Sequence, residues 1–454
     1  MKVLSVQNIV KHWRNLSGGS INRQILGAAI TVGLGTALIK IVAVFKELIV
    51  AWKFGIGDTL DAFLIAMLVP DFIIIVVAGS FHAALIPTYI QVREQEGINA
   101  AQKLFSGVML WSLGLLLITT ILMLATAPLY LPQIAAGFSA EKLDLTFKLL
   151  WVIAPVVMLN GILLIWGAVL NAGERFALAA VCPIMTPAIT IIFLLLNKSW
   201  GVFALAAGLV GGAVLEIILL GAAIYQQGVL LELKWYGLNA HLHQVINQFF
   251  PAMAGSFLIG SAAFVDQSMA AMLSPGSVAA LNYGQRAIAF PISLVTTALG
   301  TAVIPYSSKM IACKDWQGVQ HTLKHYLQLI FVVTVPLTGI LIVFSEPIVQ
   351  ILFQRGSFTA EDTHLVAQIQ SCFALQIPFY IGNILVVKFI TSMQLNHILM
   401  WAAGFDLIIN ITLNYLFMQW IGIKGIALST SCVYLFTFLF VFLLITKKLR
   451  ELSK

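Results

Sequence analysis

Several charged side chains stand inside stretches of the sequence that are otherwise apolar. Lys40, Lys46 and Glu47 share one such stretch, and Arg286 stands in another. A charge near the centre of a bilayer costs at least ~2.5–3.5 kcal/mol on insertion scales, so each one needs a partner or a ligand. The spacing places Lys40 on nearly the same helical face as Lys46 and Glu47. Three cations that converge on one cavity would attract phosphate groups, and an arginine binds such groups through two parallel hydrogen bonds.

Other ionisable or polar residues also lie in apolar stretches, and two interpretations of them stay open. They are Asp61, Asp71, Glu216, Asp266, Gln267, Lys388, Asp406, Asn410 and Asn414. The first interpretation is structural, with ion pairs between helices such as Lys46 with Asp61, or Lys388 with Asp406. The second interpretation is functional. The residues considered for gating or an ion pair are Glu47, Asp71, Asp266, Lys388 and Asp406.

The elements that must hold these residues follow from the composition. Of 454 residues, 60% are hydrophobic and only 9% are charged, whereas about a quarter of a soluble domain is charged. Twelve apolar runs are each long enough to cross a hydrocarbon core of ~30 Å as a helix. They cover about 24–52, 62–88, 105–127, 147–170, 178–197, 201–224, 247–273, 279–304, 326–345, 365–390, 398–420 and 424–446. The sequence therefore predicts an all-α integral membrane protein of about twelve transmembrane helices.

Equivalent residues recur at a nearly constant distance along the chain. Gly57 and Gly276 are 219 residues apart, Pro87 and Pro305 are 218 apart, and Pro155 and Pro378 are 223 apart. Two six-helix lobes with the same orientation, related by a pseudo-two-fold axis along the membrane normal, would produce this pattern. Lys40, Lys46 and Arg286 then occupy corresponding early helices of the two lobes. Proteins built in this way place their substrate between the halves.

Domain boundaries and orientation follow from the same runs. We expect an amphipathic cytoplasmic segment at 1–23, an N-lobe at 24–225, a cytoplasmic linker at 226–246, a C-lobe at 247–446 and a basic cytoplasmic tail at 447–454. With the N-terminus inside, fifteen Lys and Arg residues fall in cytoplasmic segments and six in outer segments. This excess predicts that both termini are cytoplasmic.

Motifs of catalysis are missing from the sequence. It contains no GxxxxGK[ST] loop for a nucleotide, no HExxH and no GxSxG. The four cysteines are widely spaced, and no metal-ligand spacing occurs. We therefore expect the cysteines to be ordinary buried thiols, and we expect no metal or cofactor. The sequence therefore predicts that the protein is not an enzyme. The energy for transport must then come from the membrane potential, a coupling ion or the gradient of the substrate.

Three segments resemble a known family. The first is Lys40-Ile-Val-Ala-Val-Phe-Lys46-Glu47, followed by Phe54-Gly-Ile-Gly57 and Leu60-Asp-Ala-Phe63; the second is Tyr283-Gly-Gln-Arg286-Ala-Ile-Ala-Phe-Pro291; the third is Phe353-Gln-Arg-Gly-Ser-Phe-Thr-Ala360. They are similar to motifs of the lipid II flippase family (MurJ, formerly MviN). The likeness runs through nearly all of the chain.

The resemblance implies the multidrug/oligosaccharidyl-lipid/polysaccharide exporter fold, with two lobes around a cationic cavity that opens alternately to each side. It implies that Lys40, Lys46 and Arg286 bind a diphosphate, with Asp61 as their charge partner or as a gating residue. The expected partners are an undecaprenyl-diphosphate-linked glycolipid and the lipid bilayer, with no nucleic acid. The chain is expected to act as a monomer in the bacterial inner membrane.

The sequence departs from the family in several places. The two arginines of the first family helix are lysines here, at Lys40 and Lys46, which keeps the charge but loses the guanidinium fork. The family's P-N-x-x-R-R and A-E-G-A-F stand here as Pro70-Asp-Phe-Ile-Ile-Ile75 and Ala78-Gly-Ser-Phe81. The family adds two C-terminal helices that form a groove for the lipid tail, and the sequence ends after the twelfth predicted span.

Three functions remain as hypotheses. The first is a flippase for an undecaprenyl-diphosphate-linked glycan in cell-wall synthesis, with lipid II as first choice and an exopolysaccharide or O-antigen unit next. The second keeps the fold but makes the protein a multidrug or cation antiporter. Its cavity would need acidic or aromatic residues, and the three cations argue against it. The third is a membrane transferase, for which the outer loops offer only scattered single residues.

Overall fold

A computed structural model describes residues 21–172, 181–226, 233–312, 315–393 and 395–452, and these residues are almost entirely helical. The α-helices are α1 Ile21–Phe54, α2 Asp58–Ile73, α3 Gly79–Glu96, α4 Ile98–Ile134, α5 Ala140–Ile153, α6 Pro155–Ala172, α7 Met185–Leu196, α8 Val202–Gln226, α9 Ala240–Ala270, α10 Ser277–Ala312, α11 Trp316–Val343, α12 Ser345–Phe353, α13 Ala360–Ala374, α14 Ile377–Ser392, α15 Asn396–Ile421 and α16 Ile423–Leu452. A π-helical segment, Ile74–Ala78, joins α2 to α3.

The predicted spans coincide with helices in chain order. In the described part of the chain, nine helical stretches are long and apolar enough to cross a membrane. Predicted spans 1 and 8 fall within α1 and α10, and span 5 overlaps the shorter apolar helix α7. The prediction of an all-α, multi-pass membrane fold is confirmed. Most of the predicted amphipathic segment, part of the linker and the end of the tail, at 1–20, 227–232 and 453–454, lie outside the described residues.

Two of the long stretches consist of two helices each, and a proline stands at each break. Pro155 is the first residue of α6, and Pro378 is the second residue of α14. A proline has no N–H to donate, so it is tolerated in the first turn of a helix but interrupts a continuous one. The two prolines are an equivalent pair of the sequence repeat, and they mark the same kind of interruption in both halves of the chain.

The chain divides into two compact units. The first contains the described residues up to Ile49 together with Ile73–Ala125 and Leu149–Ala254. Within it, α8 packs closely on α7 because glycines face that helix. A Cβ added to Gly208 would lie 2.6 Å from Thr190 Cα, and one added to Gly212 would lie 2.4 Å from Thr186 Cα. Small residues of this kind let membrane helices approach each other through their backbones.

The second unit contains Val50–Phe72, Thr126–Lys148 and the chain from Gly255 onward. Its main packing pairs are α15 with α16, α10 with α13, and α14 with α16. Aromatic rings fill the space between α11, α14 and α16, where Phe331, Phe379 and Phe438 lie 5.5–6.2 Å apart by ring centroids. The predicted boundaries of the two lobes stay a prediction.

Candidate functional site

The two lysines of α1 differ in their surroundings. Lys40 is exposed. Lys46 Nζ lies 2.6 Å from a carboxylate oxygen of the adjacent Glu47, and the two side chains are 24% and 13% exposed. The ion pair reduces the cost of holding Lys46 in an apolar helix while part of its surface stays open. Lys46 therefore has Glu47 as its carboxylate partner, and part of its side chain stays exposed.

Arg286 lies on α10, whose position depends on an aromatic cluster. Arg286 is exposed, whereas Tyr283, almost one turn earlier, is buried. The Tyr283 ring lies 5.0 Å from that of Phe353 and 5.4 Å from that of Phe358. The second and third segments that carry the family resemblance therefore contact each other, and their aromatic residues fix the turn of α10 that presents Arg286.

Asp61 is the centre of a buried polar network. Its carboxylate is 1% exposed and accepts hydrogen bonds from the backbone N–H groups of Gly276 at 2.7 Å and Ala279 at 2.8 Å. Lys142 Nζ lies 2.8 Å from Asp61 and 2.6 Å from Asp58. These N–H groups belong to the start of α10, where a helix has unpaired donors and attracts a negative charge.

Lys142, rather than the Lys46 suggested from the sequence, is thus the cation paired with Asp61. The Lys142 side chain is 6% exposed and also lies over the ring of Phe138, at 3.9 Å from its centroid. In the sequence, Lys142 is one of several outer-loop lysines, and nothing local separates it from Lys148. Only the packing of α5 against the starts of α2 and α10 identifies it.

Two glycines are required by close contacts around this network: Gly55 of the first resemblance segment, and Gly276 of the sequence repeat. Gly55 has φ +55°, and a Cβ there would lie 2.2 Å from the carbonyl oxygen of Ser357. Gly276 has φ +86°, and its Cβ would lie 2.4 Å from Ile56 Cγ2. Residues other than glycine rarely adopt a positive φ of this size, so glycine is favoured at both positions. In addition, the Ser357 N–H donates to the Trp52 carbonyl at 2.9 Å. The segments after α1, before α10 and after α12 therefore pack together.

A second polar network surrounds Asp266 on α9. Its carboxylate accepts hydrogen bonds from Asn410 at 3.0 Å, from Asn414 at 2.7 Å and from the Thr430 hydroxyl at 3.2 Å. The four-residue spacing of the asparagines, visible in the sequence, places both amides on the same face of α15. Among the described residues no lysine or arginine pairs with Asp266. The groups that the structure places on this carboxylate, two amides and a hydroxyl, are all neutral.

The remaining predicted residues lie apart from these two networks. Asp406 accepts a hydrogen bond from the Thr437 hydroxyl, so its partner is Thr437 rather than the suggested Lys388. Lys388 on α14 and Asp71 on α2 are exposed. In the ranges that the structure describes, no group of three or more His, Cys, Asp or Glu residues could hold a metal ion.

Solved structures share this fold. A "Lipid II flippase MurJ, inward closed conformation" matches with a TM-score of 0.79 and 24% identity, covering 93% of this chain and 90% of that one. An inward-facing multidrug resistance MATE transporter of the MOP superfamily matches with a TM-score of 0.72 and 13% identity, covering 94% and 99% of the two chains. The fold is therefore that of the multidrug/oligosaccharidyl-lipid/polysaccharide exporters.

Sequence comparison identifies the family within that class. The family model "Lipid II flippase MurJ" matches residues 50–454. A probable lipid II flippase MurJ of Synechocystis is 26% identical over 456 residues, covering 96% of this chain and 84% of its own. The lipid II flippase MurJ of Burkholderia cenocepacia is 25% identical over 416 residues, covering 88% and 80%. The chain belongs to the lipid II flippase MurJ family. It is a multi-pass membrane transporter and not an enzyme.

Proposed function

We propose that this protein moves lipid II from the inner to the outer leaflet of the bacterial cytoplasmic membrane by alternating access, for peptidoglycan synthesis. The observation that carries the proposal is the family match over residues 50–454. The cations at Lys40, Lys46 and Arg286 support it, because a diphosphate needs positive partners. The glycolipid would be the only partner besides the bilayer, and the protein would act as a monomer.

Each cation has a distinct task in this proposal. Lys40 and Lys46 attract the diphosphate as point charges, and Arg286 binds its oxygens through two donors. Glu47 holds Lys46 in place through the ion pair of 2.6 Å. Outward movement of negative charge is favoured by a negative interior, by ~2.3 kcal/mol per elementary charge per 100 mV. No nucleotide is needed for a substrate that carries its own negative charge.

The two buried networks would act in gating. The Asp61 network ties the starts of α2, α5 and α10 to one another, so a conformational change that separates them must break two ion pairs and two backbone hydrogen bonds. Asp266 is held only by neutral donors within the described residues, so its charge is open to compensation by a proton or a coupling cation. Asp71, Lys388 and Asp406 would adjust the movement of α2, α14 and α15.

Rescue of a bacterium depleted of its own lipid II flippase tests the function. We expect the wild-type chain to restore growth and normal cell shape, because its cations can bind the diphosphate head group. Efflux of cationic dyes should stay at the level of the empty vector, measured in parallel in the same strain. Dye efflux without rescue would instead favour a cation antiporter with the same fold. Rescue of an O-antigen or exopolysaccharide flippase mutant alone would point to another lipid-linked unit.

Reporter fusions test the orientation. We expect fusions after Arg93 and Lys324 to report cytoplasm, and fusions near Asp144 and Glu361 to report periplasm. The structure supports this expectation because Lys324 on α11 lines a groove of about 780 Å³ together with Lys447 and Arg450 on α16. Such a concentration of cations at helix ends is typical of the cytoplasmic side. A periplasmic signal at Lys324 would contradict the span count and the proposal that both termini are cytoplasmic.

A further inference from the structure

A partly open cavity of about 370 Å³ lies in the first compact unit, among helices α3, α6 and α8. Leu163, Leu164 and Leu220 provide part of its apolar wall. Ile74, the first residue of the π-helical segment, also lines it. Pockets for small molecules have volumes of roughly 300–1,000 Å³, with mostly apolar walls and few polar groups. Local π-helical turns inside α-helices are frequent at functional sites.

Glu216 is the only acidic side chain that lines this cavity in the described part of the chain. It is 6% exposed, and one carboxylate oxygen, Oε1, accepts hydrogen bonds from the Thr186 N–H at 3.0 Å and the Thr186 hydroxyl at 2.6 Å. The other oxygen, Oε2, has no hydrogen bond to any described residue. Thr186 thus anchors the carboxylate by one oxygen and leaves the second for a ligand.

Two more polar side chains line the same cavity. His82 comes from α3 and Asn160 from α6. Neither makes a hydrogen bond within the part of the chain that the structure describes. No described lysine or arginine pairs with Glu216 either. Polar groups without partners in an apolar interior are costly, and a carboxylate without a cation is the most costly of them. The cavity therefore has the chemistry of a site for a positively charged donor.

We propose that this cavity binds a small primary alkylammonium ion. The ammonium group has three N–H donors, and the cavity offers three acceptors on three helices: the free carboxylate oxygen of Glu216, the side-chain carbonyl of Asn160 and a ring nitrogen of His82. The leucine walls contact the alkyl chain. Bound in this way, the amine crosslinks α3, α6 and α8. The site is independent of the residues assigned to the diphosphate.

Calorimetric titration of the purified full-length protein with n-butylammonium chloride tests this proposal. We expect saturable binding to the wild-type protein and at least tenfold weaker binding of tetramethylammonium, which has no N–H donor, and of 1-butanol, which has no charge. Glu216→Gln should weaken n-butylammonium binding at least tenfold. A glutamine keeps an oxygen for Thr186 but places a neutral NH2 group in the cavity. The matched control is Thr190→Val, which removes a buried hydroxyl from α7 that donates to the Thr186 carbonyl and does not line the cavity.

Three results would overturn the proposal. The first is that n-butylammonium does not bind the wild-type protein, the second is that 1-butanol binds as tightly as n-butylammonium, and the third is that Glu216→Gln binds n-butylammonium as tightly as the wild-type protein does. Each result would mean that the cavity holds water or a proton only. The melting temperature of each variant shows whether it is folded. If Glu216→Gln is not folded, Asn160→Leu decides, because it removes an acceptor and fills the cavity with an apolar side chain. Unchanged binding to Asn160→Leu would likewise place the amine elsewhere.

Discussion

Replacing Lys142 by methionine is expected to destabilise the protein by about 3–5 kcal/mol, the usual cost of removing one partner of a buried ion pair. Methionine keeps most of the apolar volume of the lysine but leaves the Asp61 carboxylate, 1% exposed, with only backbone donors. The loss should appear as a lower melting temperature of the purified protein. It should also reduce rescue of a flippase-depleted strain, because the network joins the starts of three helices.

The matched control is Lys148→Met, six residues later on the same helix. Lys148 pairs with Asp144 at the surface, with side chains 62% and 60% exposed, so solvent screens the pair. Exposed pairs of this kind contribute ~0–1 kcal/mol. The double variant Asp61→Asn with Lys142→Met should recover part of the stability, because no unpaired charge stays buried. A melting temperature of Lys142→Met equal to that of the wild-type protein would contradict a structural role of this ion pair.

The second large effect is expected at Lys46, where Lys46→Glu should abolish rescue and Lys46→Arg should retain it. The glutamate would stand beside Glu47, whose carboxylate lies 2.6 Å from Lys46 Nζ in the wild-type protein. It would replace a cation that attracts the diphosphate by a charge that repels it. An arginine keeps the charge and adds a second donor for phosphate oxygens. Growth after depletion of the host flippase is the measurement.

Two controls separate substrate binding from folding in this experiment. Membrane abundance, measured by immunoblot, should be similar for Lys46→Glu and Lys46→Arg. The same charge reversal at the exposed Lys148 should leave rescue intact, since that residue lies at the surface with Asp144. Growth supported by Lys46→Glu would overturn the diphosphate role of this lysine, and improved dye efflux by that variant would favour the antiporter hypothesis.

Much of the fold is determined locally and could be predicted from the sequence. An apolar run long enough to cross the bilayer must satisfy its backbone groups within itself, so it forms a helix wherever it is placed. Proline breaks are equally local, which is why Pro155 and Pro378 mark the same interruption in both halves. The family motifs at Lys46, Asp61 and Arg286 also needed no structure. Their resemblance to the motifs of a known family was enough to suggest a transporter of diphosphate-linked lipid.

The partners of the buried polar groups, by contrast, were decided only by the tertiary structure. Asp61 binds Lys142, 81 residues later in the sequence, at 2.8 Å. It also accepts a hydrogen bond from the backbone N–H of Gly276, at the start of α10. Asp266 binds Asn410 at a separation of 144 residues. Periodicity shows which face of a helix carries a polar residue, but not which other helix packs on that face. That choice depends on side-chain packing summed over the whole unit. For this reason the sequence suggested Lys46 as the partner of Asp61 and Lys388 as the partner of Asp406, whereas the structure shows Lys142 and Thr437.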